Sequence, residues 1–136
     1  MAGDWSREEN ELTVRSYLDM LALELRGDDF TKADFWRALH DRIPARTKGA
    51  IEFKYGNVSA VLRDLQFPAI EGYKPYSNYQ ADLFDVVERQ LAERPELTNF
   101  VLAQVEQPVG AFSFDDILAA LVDKPSAPEP SRQREP

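Results

Sequence analysis

The chain has 136 residues, no cysteine and a formal charge of −8, with 43% hydrophobic and 29% charged residues. That length can bury a core unaided and the composition is ordinary globular usage, so a wholly disordered chain, a disulfide framework and a thiolate metal site are excluded. No run reaches the ~18 apolar residues of a membrane span, and the start MAGDWSREEN lacks the basic and apolar regions of a signal peptide, so the expected location is the bacterial cytoplasm with no membrane partner.

The first predicted helix opens at Ser6-Arg7-Glu8-Glu9, a capping box in which the Ser6 hydroxyl and the Glu9 carboxylate satisfy each other's backbone amides. Val14, Tyr17, Leu18, Leu21 and Leu25 recur at helical spacing through Arg26, and Gly27 stops the helix. Trp5, just before the cap, reads as a core or staple residue. Thr31 is the cap expected for a second helix, with Phe35, Trp36, Leu39 and Ile43 on its apolar face and Pro44 ending it. His40, the one histidine, has no cysteine or second histidine to join it and reads as a packing or surface residue.

Thr47 is the expected cap of a third helix. Ile51, Tyr55, Val58, Leu62 and Leu65 form one apolar stripe, while Lys48, Glu52, Lys54, Asn57 and Ser59 fall mostly outside it. Gly56 costs roughly 1 kcal/mol of helix stability against alanine, so it marks a close backbone approach or a slight bend. Pro68, Gly72 and Pro75 then break regular structure in a loop from Gln66 to Ser77. A fourth helix, capped by Ser77 or Asn78, is expected to run to about Glu93 over Leu83, Val86, Val87 and Leu91. Pro95 suits the first turn of a fifth, Glu96 to Gln104, packed through Leu97, Phe100 and Val101. A sixth is expected from Ser113 to about Val122, with Phe114, Ile117, Leu118 and Leu121 apolar. The proline-rich remainder, KPSAPEPSRQREP, reads as a disordered tail or linker over 124–136, the sign of a fragment of a longer protein.

The expected architecture is therefore all-α, a bundle of about six helices in one domain over residues 1–123. Residues 5–65 form a helix-turn-helix-like unit, 66–77 a tyrosine-rich loop and 78–123 supporting helices.

Charge is unevenly spread. Residues 1–30, 64–94 and 95–136 carry −5, −3 and −4, whereas residues 31–63 carry +4. The basic segment holds the third helix, where a polyanion would be drawn. Arg46, Lys48 and Lys54 supply charge for phosphates and Asn57 an amide for an adenine edge, as a helix in the major groove requires. The competing reading of each is the solvated face of an amphipathic helix. In GYKPYSNYQ, Tyr73, Tyr76 and Tyr79 alternate with Lys74, Asn78 and Gln80, offering stacking faces beside donors and acceptors for a flipped or modified base. The competing reading has these rings pinning the loop to the protein with their hydroxyls bonded.

No nucleophile and base are ordered together, and no phosphate-cradling glycine loop occurs. The pairs Asp28-Asp29 and Asp115-Asp116 sit at helix starts, where carboxylates suit the helix dipole. Catalysis, a metal and a cofactor are not expected; an enzyme built on carboxylates alone is the lesser alternative.

Trp5-Ser6-Arg7-Glu8-Glu9, the second helix with Trp36, and Arg46-Thr47 opening the third are together similar to the Myb/SANT-like pattern over residues 5 to about 65. This chain departs from it in its longer first helix and in having no tryptophan in the third. The segments W-S-R-E-E, I-E-F-K-Y-G-N-V-S-A-V-L and G-Y-K-P-Y-S-N-Y-Q resemble, over residues 5 to about 91, the N-terminal domain of bacterial HNH-type restriction endonucleases and related defence proteins. That resemblance implies a DNA-targeting or modification-sensing role beside a C-terminal nuclease in a longer parent chain. The nuclease motif is absent from these residues, so cleavage does not carry over.

The expected partner is therefore DNA, plain or modified, contacted through Arg46, Lys48, Lys54, Asn57, Lys74, Tyr76 and Asn78. The alternatives are a protein-interaction or dimerisation module and a sensor of a small ligand or modified nucleotide.

Overall fold

The structure, a computed structural model, describes residues 4–111, with side chains through residue 104. The described residues are helical, without strands: α1 (Arg7–Arg26), α2 (Lys32–Arg42), α3 (Lys48–Asp64), α4 (Ala81–Ala92) and α5 (Pro95–Ala111). The chain divides into two compact units, Met1–Thr98 and Asn99–Pro136. Of the second, only the α5 residues 99–111 are described, so the expected sixth helix and the proline-rich tail lie outside the described residues.

Local chemistry accounts for most boundaries. At the start of α1 the Ser6 Oγ accepts from the Glu9 amide at 3.1 Å and the Ser6 amide donates to Glu9 Oε1 at 2.9 Å, the expected capping box. Gly27 closes α1 at φ 78°, where a Cβ would be strained. Thr47 caps α3 through the Ala50 amide at 3.1 Å. Thr31 holds the N-cap position of α2, but its hydroxyl makes no capping bond.

The start of α4 differs from expectation. Its N-cap is Gln80, not Ser77 or Asn78, and the Gln80 amide is turned inward instead of onto the helix end. The α5 helix also extends past the expected end at Gln104.

In the first unit α1 packs against α2, α3 and α4, and α3 packs against α2 and α4. The core joins Val14, Tyr17, Leu18 and Leu21 of α1 to Leu39, to Ile51, Tyr55, Val58 and Leu62 of α3, and to Leu83, Val86 and Val87 of α4. Each such apolar side chain contributes about 1.5–3 kcal/mol through removal from water. The deepest segment is in α3, where every residue from Lys54 to Leu62 is buried. A single apolar stripe does not predict this, because it leaves the opposite face to solvent. Here the connection from α3 to α4 folds back and covers that face.

Candidate functional site

The covering loop is fastened along α3. The Tyr76 amide donates to the Gly56 carbonyl at 3.1 Å, and Asn57 Nδ2 donates to the Tyr76 carbonyl at 2.6 Å. Gly56 permits this: a Cβ there would stand 2.6 Å from the Lys74 carbonyl oxygen and collide with the Tyr76 ring. The interior glycine thus marks a close backbone approach. Farther along, Arg63 Nη2 donates to Ser77 Oγ at 3.1 Å and the Tyr79 hydroxyl to Asp64 Oδ2 at 2.6 Å.

The expected contact residues separate into two groups. Arg46, Lys54 and Asn57 are buried, with about 5% of their surface or less exposed. Arg46 donates to Glu9 at 3.0 and 2.7 Å and to the Asp4 carbonyl at 2.9 Å, with its guanidinium 4.6 Å from the Trp5 ring centre. Lys54 donates to Gln80 Oε1 at 2.8 Å and lies 4.8 Å from the same ring. Burial, then the neighbouring Arg46 charge, pushes the Lys54 ammonium down to about 8. The Arg46 hydrogen bonds hold Glu9 below the usual carboxylate range, against the opposing effect of burial.

Asn57, spent on the loop backbone, offers no edge outward. The arrangement thus commits these three side chains within the protein, and the buried middle of α3 presents no face to a DNA groove. Lys48, Lys74, Tyr76 and Asn78, by contrast, are exposed. Lys48 lies 5.0 Å from the Trp36 ring centre.

Where the loop crosses the first half of α3 it leaves a cleft of about 350 Å³ lined by Gly49, Glu52, Phe53, Gly72, Tyr73, Lys74 and Tyr76. Phe53 and Tyr76 stack with ring centres 4.6 Å apart and planes 5° from parallel, and they remain 50% and 40% exposed. Solvent exposure of so much aromatic surface on both partners of a stack is what a contact site requires.

The five tyrosines show how the cleft differs from the rest. Tyr17 bonds Ser59 and the Ile70 amide, Tyr55 bonds Ser16, and Tyr79 bonds Asp64. The Tyr73 and Tyr76 hydroxyls have no hydrogen-bond partner among the described residues, and both line the cleft. Tyr73 is pushed up to about 12, by burial first and then by the Glu52 charge, so it remains a donor at neutral pH. The Glu52 carboxylate and the Lys74 ammonium are likewise without partners among the described residues. Lys32 reaches the same region, donating to the Glu71 carbonyl at 2.6 Å with its ammonium 4.9 Å from the Tyr73 ring centre. Apolar surface with a few convergent, uncommitted polar groups is the usual composition of a ligand site, and this volume is at the small end of the ~300–1,000 Å³ range.

Set beside known proteins, the chain matches no family model, no curated protein and no solved structure.

The cleft adds Glu52 and Phe53 to the residues expected from the sequence and brings them to Lys74 and Tyr76. Phe53 carried a readable signal, an aromatic residue off the apolar stripe of α3. Its partner across the cleft lies more than twenty residues away and could not be paired with it by spacing. Among the described residues no group of three or more His, Asp and Glu side chains is placed to hold a metal ion, and no helix is long and apolar enough to cross a membrane.

Proposed function

We propose that this chain is the DNA-binding, modified-base-sensing module of a restriction or phage-defence protein, and that it engages DNA through the cleft between α3 and the tyrosine loop. The observation that carries this reading is the exposed Phe53–Tyr76 stack, bordered by Lys74 and by two tyrosine hydroxyls without protein partners. Exposed aromatic rings bind unstacked bases by stacking, contributing about 1–3 kcal/mol per base. Lysine ammonium groups neutralise the flanking phosphates. Lys74 and Lys48 do so here, while the helix-turn-helix-like unit of α1 to α3, the core of the bundle, serves as the scaffold. The module reads DNA from the edge of α3, without inserting the helix into a major groove. The likeness of W-S-R-E-E, I-E-F-K-Y-G-N-V-S-A-V-L and G-Y-K-P-Y-S-N-Y-Q to the N-terminal domain of HNH-type restriction endonucleases supports the same reading, with a nuclease in a longer parent chain. The module itself performs no cleavage.

Fluorescence-anisotropy titration tests this, using single-stranded DNA and duplexes with plain and modified cytosine at low and moderate salt. The expected result is salt-sensitive binding, weakened about tenfold or more by Tyr76→Ala and made less salt-dependent by Lys48→Ala with Lys74→Ala. Absence of binding to every probe at low salt would sink the reading.

A second reading is a protein-interaction module. It is favoured by the burial of Arg46 and Lys54, which removes two cations from the basic segment of a chain of net charge −8. An apolar partner seated on Phe53 and Tyr76 would bind with little response to salt, whereas phosphate contacts respond steeply.

A further inference from the structure

Glu52 is the one carboxylate among the residues lining the cleft, and it has no hydrogen bond or ion pair among the described residues. Several carboxylates of the first unit are engaged, Asp82 and Asp85 by Arg7, Asp19 by Arg94 and Asp64 by Tyr79, while others such as Glu8, Asp41 and Glu88 are exposed without partners among the described residues; what distinguishes Glu52 is its place in the cleft beside the Phe53–Tyr76 stack. An uncommitted acceptor beside a flat aromatic surface is placed to receive N–H donors from a planar ligand that stacks there. The surrounding charge restricts which ligand. Lys74 lines the cleft and the Lys32 ammonium already lies over the Tyr73 ring. A cationic ligand would therefore meet two lysines and an aromatic face already occupied by a cation, whereas a nucleotide brings its own phosphates to them.

Resting on the functional reading above, we infer that the cleft receives one unpaired base bearing an exocyclic amino group, cytosine, adenine or guanine as opposed to thymine, and that Glu52 reads it by accepting that amino hydrogen. A carboxylate accepts and does not donate, so it pairs with the amino group of cytosine, adenine or guanine, whereas the one ring N–H of thymine lies between two carbonyl oxygens that repel it. Phe53 and Tyr76 supply the stacking surface, which is indifferent to base identity. The hydroxyls of Tyr73 and Tyr76 can donate to a ring nitrogen or carbonyl oxygen, and Lys74 holds the neighbouring phosphate. Cytosine modification at carbon 5 leaves the amino group in place, so the Glu52 contact is compatible with modified and unmodified cytosine alike.

The test compares duplexes that differ in one central unpaired nucleotide, cytosine, adenine or thymine, together with a fully paired duplex, against the wild-type chain and Glu52→Gln. The exposed side chain is not part of the core, and thermal unfolding verifies that the variant is folded. Wild type is expected to favour cytosine or adenine over thymine by about fivefold or more. In Glu52→Gln the amide adds a donor for thymine O4, so the preference falls below about twofold. Wild-type binding without a base preference, or a preference that survives in Glu52→Gln, overturns this inference and leaves DNA binding intact. Absence of binding to all the duplexes overturns both.

Discussion

The guanidinium of Arg46 closes on the carboxylate of Glu9 through two hydrogen bonds of 3.0 and 2.7 Å. Glu9 is also the residue whose Oε1 accepts from the Ser6 amide in the capping box of α1. One carboxylate therefore completes the first turn of α1 and anchors the residue that leads into α3. Trp5 lies beneath, facing both Arg46 and Lys54, and Gln80 joins from the far end of the loop by accepting from Lys54 and Asn10 and donating to the Trp5 carbonyl. The three segments that stand out in the sequence meet here, and what they build is a junction inside the protein.

Arg46→Ala is expected to destabilise the fold by about 1.5–3 kcal/mol, because it removes charge-assisted hydrogen bonds from a partly buried carboxylate. Lys48→Ala, at an exposed position outside the core, should fall within about 0.5 kcal/mol of wild type. Urea unfolding of the two variants measures the contrast, and equal midpoints would contradict it. Loss of DNA affinity in Arg46→Ala would consequently report on folding, which is why Lys48, Lys74 and Tyr76 are the informative positions.

Gly56→Ala would gain about 1 kcal/mol of helix propensity on an isolated helix. In this fold its methyl group would collide with the Lys74 carbonyl and the Tyr76 ring, so the substitution is expected to destabilise and to lift the loop. Hydrogen exchange at the Tyr76 amide, which donates to the Gly56 carbonyl, should accelerate; unchanged protection would refute the close approach.

Lys54 makes stability depend on pH. Its native value of about 8 lies below the 10.5 of the free side chain, so between these values the unfolded chain binds more protons and stability rises with pH. Above about 10 the tyrosines oppose this, since burial raises Tyr17 and Tyr55 and the unfolded chain then loses protons first. Wild type should gain stability relative to Lys54→Met between about pH 8 and pH 10, seen as a pH-dependent shift in the separation of their urea midpoints. A constant separation over that range would contradict the shift.

Tyr17→Phe removes a buried hydroxyl that bonds Ser59 Oγ at 2.7 Å and accepts from the Ile70 amide at 2.8 Å. Two polar groups lose their partner while the ring still fills its place, so the cost is expected near 1–3 kcal/mol. Tyr73→Phe, whose hydroxyl has no partner within the described residues, should leave stability nearly unchanged and alter ligand binding alone. Paired thermal melts distinguish the two tyrosines.

What the sequence by itself determined is mostly local. The capping box at Ser6 and Glu9, the stop at Gly27, the Thr47 cap and the apolar spacing of α1, α3 and α4 are readable because each depends on residues within a turn or two of one another. The close approach at Gly56 was also readable as one of two meanings for an interior glycine. Tertiary structure decided which polar residues face outward. Lys54 and Asn57 fall off the apolar stripe of α3 and Arg46 precedes its cap, and local spacing gives such residues a solvated position. The loop that returns over α3 and the carboxylate of Glu9, thirty-seven residues away in sequence, turned these positions into an interior. Tertiary structure likewise separated Tyr79, bonded to Asp64, from Tyr73 and Tyr76, left open beside Phe53 and Glu52. Hydrogen bonds between distant segments compete with water for the same side chains, and periodicity within one helix carries no record of which of them win.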